Sequence, residues 1–129
     1  AEALIPGTHG STFGGNPLAM AVGNCVMDIV NKVDFLSNVE KNGLFFKNQL
    51  NKLCEKYPNV IAEIRGLGLM IGIKCSVANN LLANKLYENG ILTVNAADNV
   101  IRILPPLNIT MSEIKKVMSL FEKSIKEIL

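Results

Sequence analysis

Residues 6–17 read Pro-Gly-Thr-His-Gly-Ser-Thr-Phe-Gly-Gly-Asn-Pro, and no other stretch constrains the fold as much. Four glycines and two prolines in twelve positions exclude a regular helix or strand there. Asn16-Pro17 then offers an N-cap followed by proline at the first helical position. A helix is therefore expected from Pro17 to about Val30. Leu18, Met20, Val22, Cys25, Val26 and Ile29 make it apolar nearly all round, so it expects cover on every side. Left uncovered, it predicts a chain that self-associates.

From about residue 34 onward, periodicity gives a second pattern. Leu36, Val39, Phe46, Leu50, Leu53 and Tyr57 share one face of a helix over about Phe35–Tyr57, stopped by Pro58. Val60–Arg65 and Leu69–Cys75 read as strands joined by Gly66-Leu67-Gly68. Ser76 is the expected cap of a helix over Val77–Asn89, with Gly90 at its left-handed end. Ile91–Val94 and Val100–Leu104 read as short strands about a turn at Ala97-Asp98-Asn99. Thr110-x-x-Glu113 has capping-box spacing and opens a last helix with an apolar face of Ile114, Val117, Met118, Phe121, Ile125 and Ile128. Helix, two strands, helix, two strands, helix predicts an α+β domain: a small, mostly antiparallel sheet with helices on one face.

Composition narrows the function classes. At 49% hydrophobic and 19% charged the chain can bury a core and is not disordered. A net charge of +2 is too small for a nucleic-acid surface, and the lysines are scattered over helical stretches as a solvated face would be. Cys25, Cys54 and Cys75 follow no metal or redox spacing; their apolar surroundings predict buried structural thiols in a reducing cytoplasm. No apolar run reaches the ~18 residues of a membrane span. The chain opens at Ala1-Glu2-Ala3-Leu4-Ile5 straight onto the Gly-rich loop, and a missing N-terminal portion is the expectation.

Glycines let backbone N–H groups approach an anion, and Ser and Thr hydroxyls can donate to phosphate oxygens. The loop is no Walker loop, because no Gly-Lys-Ser/Thr follows. Read alone it is either a phosphate loop or a tight interdomain turn.

Four stretches together resemble the class III aminotransferases, the pyridoxal-phosphate (PLP) enzymes of ornithine/acetylornithine type. Gly-Thr-His-Gly-Ser-Thr-Phe-Gly-Gly-Asn-Pro-Leu-Ala at 7–19 is similar to the segment that follows their cofactor lysine. Ile64-Arg65-Gly66-Leu67-Gly68-Leu69-Met70-Ile71-Gly72 resembles their Arg-Gly-x-Gly-Leu-Met-x-Gly turn, with Leu67 where many relatives carry a basic residue. Gly90–Asn95 resembles their Gly-Leu-Leu strand, and Val100–Thr110 their Arg-x-x-Pro-Pro-Leu segment. The resemblance covers essentially the whole chain. Asn95-Ala96-Ala97-Asp98-Asn99-Val100 ahead of Arg102 looks most like the acetylornithine subgroup.

The resemblance implies a fold-type-I aminotransferase segment: residues 1–33 as the end of the large PLP domain, 34–129 as the small C-terminal domain. It implies that Ser11 and Thr12 bind the PLP phosphate across a homodimer interface, and that Arg102 binds the substrate α-carboxylate, a task its planar fork suits. The implied reaction moves an amino group from N-acetylornithine to 2-oxoglutarate in arginine biosynthesis. Arg65 reads as a structural ion-pair or backbone-contact residue, His9 as a loop-packing residue and Asn16 as a cap. No catalytic residue is expected in this chain. None of its 11 lysines stands in the context of the family's cofactor lysine, so the chain alone is expected neither to bind PLP covalently nor to transaminate. A stand-alone, non-catalytic remnant or interaction domain has these same residues. A coding sequence with an in-frame cofactor lysine upstream of Ala1 separates the two.

Overall fold

The structure, a computed structural model, describes residue 7 and residues 10–129. His9 lies outside the described residues. The chain divides into two compact units, Ala1–Leu36 and Ser37–Leu129.

In the first unit, α1 (Pro17–Val30) begins as the sequence predicts. Asn16 is its N-cap, its side chain accepting from the Ala19 N–H at 2.9 Å, and Pro17 occupies the first turn. No residue of α1 is buried. Leu18, Met20, Val22, Val26, Met27 and Ile29 are all exposed, and Cys25 is exposed too, against the expectation of a buried thiol.

The remaining elements are α2 (Val33–Lys56), β1 (Ile61–Leu67), β2 (Met70–Cys75), α3 (Asn79–Glu88), β3 (Val94–Ala96), β4 (Val100–Ile103) and α4 (Met111–Lys126). The sheet order is β1-β2-β4-β3, and every pairing is antiparallel. Strand alternation separates two faces. Ile61, Ile64, Ile71, Ile73, Ile101 and Ile103 are buried against Phe46, Leu50 and Leu53 of α2, Leu82 and Leu86 of α3, and Ile114, Phe121 and Ile125 of α4. The other face stays open and carries Arg65, Gly72, Lys74 and Arg102. This is the α+β layout expected. Leu36, assigned to the apolar stripe of α2, is exposed.

Hydrogen bonds staple the helices of this unit together. Asn42 of α2 donates to the Ile109 carbonyl at 2.7 Å. Lys56 and Tyr57 both donate to Glu122 of α4, at 2.7 and 2.8 Å. Buried Ser124 of α4 donates to the Leu120 carbonyl of its own helix and accepts from Asn89 at the end of α3.

Three local expectations need correction. Ser76 does not cap α3: its hydroxyl donates to the Pro58 carbonyl at 2.7 Å, and the helix begins three residues later at Asn79. Ile91–Thr93 are not strand, because Ile91 completes the Schellman end of α3. Its N–H reaches the Leu86 carbonyl while Gly90, at φ +84, donates to Tyr87. Gly66 and Leu67 belong to the β1–β2 ladder, and the turn is Gly68-Leu69 between the paired Leu67 and Met70. Gly68 takes the positive φ, +56, that a two-residue hairpin needs at its first position. The Thr110–Glu113 capping box forms as predicted.

Candidate functional site

The described part of the Gly-rich loop is a tight turn seated on α1. The Gly14 N–H donates to Ser11 Oγ at 2.9 Å, and the Asn16 side-chain amide donates to the Phe13 carbonyl at 2.6 Å. A Cβ on Gly14 would stand 2.8 Å from Ser11 Cβ, so this closure requires glycine. Gly15, at φ +75, turns the chain into the helix. Ser11 Oγ accepts within the turn, which leaves its O–H to donate elsewhere. Ser11 and Thr12 are both exposed.

The second cluster lies on the open face of the sheet, within the second unit. The registers align Arg65 with Gly72, Gly72 with Arg102, and Arg102 with Val94, one row across all four strands. A cavity of ≈ 310 Å³ is lined by Arg65, Met70, Gly72, Ala96, Val100 and Arg102, among others. Arg65 Nη2 donates to Asp98 Oδ2 at 3.4 Å, so of the two roles expected of it, ion pair or backbone contact, the structure shows an ion pair. Lys74, one row along, donates to both the Asp98 carboxylate and the Asp98 carbonyl. The Lys74 hydrogen bond and charge, with Arg65 behind them, hold the Asp98 carboxyl below the usual range. Glu63 stands opposite Lys74 in register. Among the described residues Arg102 is exposed and makes no ion pair.

The turn that delivers Asp98 is built by its neighbour. Among the described residues, Asp98 and Asn99 are the two non-glycine residues at positive φ, +62 and +53. Asn99 is fastened on three sides: its amide donates to the Cys75 and Val77 carbonyls at 2.8 and 2.7 Å, and its oxygen accepts from the Asn79 N–H at 2.8 Å. Sequence reasoning missed Asn99, Asp98 and Lys74. An Asp-Asn pair in a glycine-free turn is the signal that could have found the first two, since both residue types tolerate the left-handed region.

Among the described residues no cluster of His, Cys, Asp or Glu could hold a metal ion, and no helix is long and apolar enough to cross a membrane.

Comparison with known proteins supplies the family. The Aminotransferase class-III profile matches residues 1–125. This chain belongs to the class-III aminotransferases. It is 44% identical over 128 residues to the acetylornithine aminotransferase of Brucella melitensis biotype 1, covering 99% of this chain and 32% of that protein. It is 43% identical over 124 residues to that of Bacillus subtilis, covering 96% and 32%. The crystal structure of acetylornithine aminotransferase from Elizabethkingia anophelis superposes with a TM-score of 0.83 at 37% identity, covering 98% of this chain and 34% of that one. The ornithine aminotransferase of Toxoplasma gondii gives 0.83 at 35%, covering 98% and 31%. The chain thus spans about a third of the length of the relatives it matches.

Class-III aminotransferases depend on pyridoxal phosphate. The donor set in the loop fits the phosphate end of that group. Two exposed hydroxyls and a glycine whose missing Cβ keeps the turn closed suit an oxyanion. Ser11 and Thr12 belong to the first unit and Arg102 to the second.

Proposed function

We propose that this chain is a segment of an N-acetylornithine:2-oxoglutarate aminotransferase of arginine biosynthesis, acting in a cytoplasmic homodimer. On this reading residues 1–33 end the large cofactor domain and 34–129 form the small C-terminal domain. Thr12 and Ser11 donate to the phosphate of pyridoxal phosphate, across the dimer interface. When bound, that group supplies the electron sink and the amino-group carrier. Arg102 takes the α-carboxylate of the amino donor, and then of 2-oxoglutarate, through two parallel N–H···O bonds. That grip fixes the Cα–H bond in one orientation, and orientation is where much of the rate of such a reaction comes from.

One observation carries the reading. Arg102 is the guanidinium on the open face that no carboxylate among the described residues engages, and it borders a cavity large enough for a small amino acid. The exposed apolar surface of α1 favours a second reading, a non-catalytic interaction domain.

The test is a chimaera in which residues 1–129 replace the matching segment of the Bacillus subtilis acetylornithine aminotransferase. Activity with N-acetylornithine and 2-oxoglutarate, exceeding that with ornithine or γ-aminobutyrate as donor, supports the proposal. A stable, cofactor-loaded chimaera that prefers ornithine overturns the donor assignment, and one inactive with every donor favours the interaction domain.

A further inference from the structure

The chain has two arginines, and both stand in one row of the open sheet face, with Gly72 between them. Neighbouring strands are about 4.8 Å apart, so the two backbones are separated by roughly 10 Å, well within the joint reach of two arginine side chains. Gly72 removes the side chain that would keep them apart. A Cβ there would stand 3.4 Å from Arg65 Cγ and 3.8 Å from its Nε, so the Arg65 arm passes across the glycine. Both guanidinium-bearing residues line the same ≈ 310 Å³ cavity. Two such groups side by side would hold a dicarboxylate at both ends.

They are not equivalent, and Asp98 makes the difference. Its carboxylate receives Arg65 on one oxygen and Lys74 on the other, and its carbonyl takes a second bond from Lys74 at 2.6 Å. The positive φ at Asp98, and Asn99 fastened behind it, fix where that carboxylate sits. The Arg65 contact is long, 3.4 Å, between groups 48% and 61% exposed, so the charge partition is modest rather than absolute. Glu63 opposes Lys74 on the same face and faces neither arginine in register.

We infer that Asp98 is a specificity-determining positioning residue: it occupies Arg65 and Lys74 and leaves Arg102 as the single carboxylate anchor of this face. The inference rests on the reading of Arg102 given above. An amino donor with one carboxylate and an acceptor with two must present the same carboxylate to the same guanidinium. A second unpaired guanidinium beside it would let the dianion bridge both and displace its reacting carbon, at a cost in rate.

Because the chain has two arginines, its side-chain Nε–Hε spectrum holds two signals, and the 129-residue chain can be titrated with propionate and with glutarate. In the wild type both anions should move the Arg102 signal and leave Arg65 still. Glutarate should bind no more than about twofold tighter than propionate, the statistical factor for two carboxylates. In Asp98→Asn, which keeps a side chain tolerant of positive φ, Arg65 should respond with Arg102. The glutarate preference should then rise about threefold, the size an exposed ion pair allows. Asp98→Gly, free of strain at that φ, should give the same ratio, and Arg65→Gln together with Lys74→Gln in the Asp98→Asn background should return it to the wild-type value. An Arg102 response with an unchanged ratio in both Asp98 variants overturns the partition alone. Equal movement of both signals in the wild type overturns it as well. An Arg102 signal indifferent to both anions in every variant sinks the carboxylate reading, and this inference with it.

Discussion

Asn99 caps α3 from across the sheet: its side-chain oxygen accepts the Asn79 N–H at 2.8 Å, and the Asn79 amide answers by donating to the Ala96 and Val100 carbonyls that flank the turn. Two asparagines twenty residues apart thus lock the start of a helix to the β3–β4 turn. A backbone bond from Cys75 to the Asn99 carbonyl, at 3.0 Å, extends the lock to the end of β2.

Asn99→Ala should therefore lose both the cap and the ease of positive φ. Helix caps contribute about 0.5–2 kcal/mol, and a left-handed non-glycine residue costs about 1–2 kcal/mol. A loss of about 2–3 kcal/mol in urea unfolding is the expected outcome. Asn99→Gly keeps the backbone conformation and should recover about 1 kcal/mol of that. Equal losses in the two variants would show that side-chain bonds alone carry the effect.

Why the sequence yielded the helices but not this lock is a matter of range. Capping by Asn16 and by Thr110 with Glu113 acts within four residues, and both were legible in order and spacing. Ser76 looked like an equally good cap, but the Pro58 carbonyl, eighteen residues back in sequence, claims its hydroxyl. The same limit hid the arginine row. Periodicity gives which residues of a strand share a face, whereas the neighbour relation of Arg65 and Arg102 depends on β4 lying beside β2, which no local pattern states. Arg102 became a candidate through resemblance to a family motif, and the structure adds only its exposure and its neighbours.

Gly43 sits where α2 meets the β1–β2 turn. A Cβ at this position would stand 2.6 Å from the Gly68 carbonyl oxygen, and Lys47, one turn on, donates to the Gly66 carbonyl at 3.2 Å. Alanine in place of glycine normally favours a helix by about 1 kcal/mol. Here the clash should reverse the sign, and Gly43→Ala should destabilise by about 1–3 kcal/mol. Thermal unfolding decides it: a raised Tm would mean that α2 can move away from the turn without loss.

The three thiols should separate by reactivity. Cys25 is exposed, Cys54 is half-buried, and burial pushes the Cys75 thiol up to about 11. Burial also raises Cys54, with Glu55 and Glu63 adding to it. Since thiolate is the reacting form, Cys25 should be modified first by a maleimide at neutral pH and Cys75 last. Peptide mapping after a short pulse reads the order, and early labelling of Cys75 would mean that the core around β2 opens.

Acid should loosen the α2–α4 staple. Hydrogen bonds from Lys56 and Tyr57, with Lys126 adding to them, hold the Glu122 carboxyl down at about 2. A carboxylate more acidic in the folded state stabilises it fully above the unfolded value near 4.5, and that contribution disappears as pH falls toward 2. The groups are solvent-screened, so the gap between wild type and Glu122→Gln should be at most about 1 kcal/mol. It should be present at pH 6 and closed near pH 2. A gap that widened on acidification would contradict the ion-pair account.

Arg102 and Thr12 make opposite forecasts in the Bacillus subtilis chimaera. Arg102→Lys keeps the charge but loses the two-point fork. Cofactor content should hold while kcat/KM falls for both the amino donor and 2-oxoglutarate, by ~2–4 kcal/mol or on the order of 30- to 1000-fold. Thr12→Ala should instead raise the pyridoxal phosphate needed for half-maximal activity, and leave the amino-acid KM nearly unchanged at saturating cofactor. Absorbance of the bound cofactor and steady-state kinetics separate the two effects. A fall of less than about threefold in Arg102→Lys is far below what a lost bidentate contact produces. Arg102 would then be a surface residue at the end of β4, and the carboxylate reading of this arginine would fall.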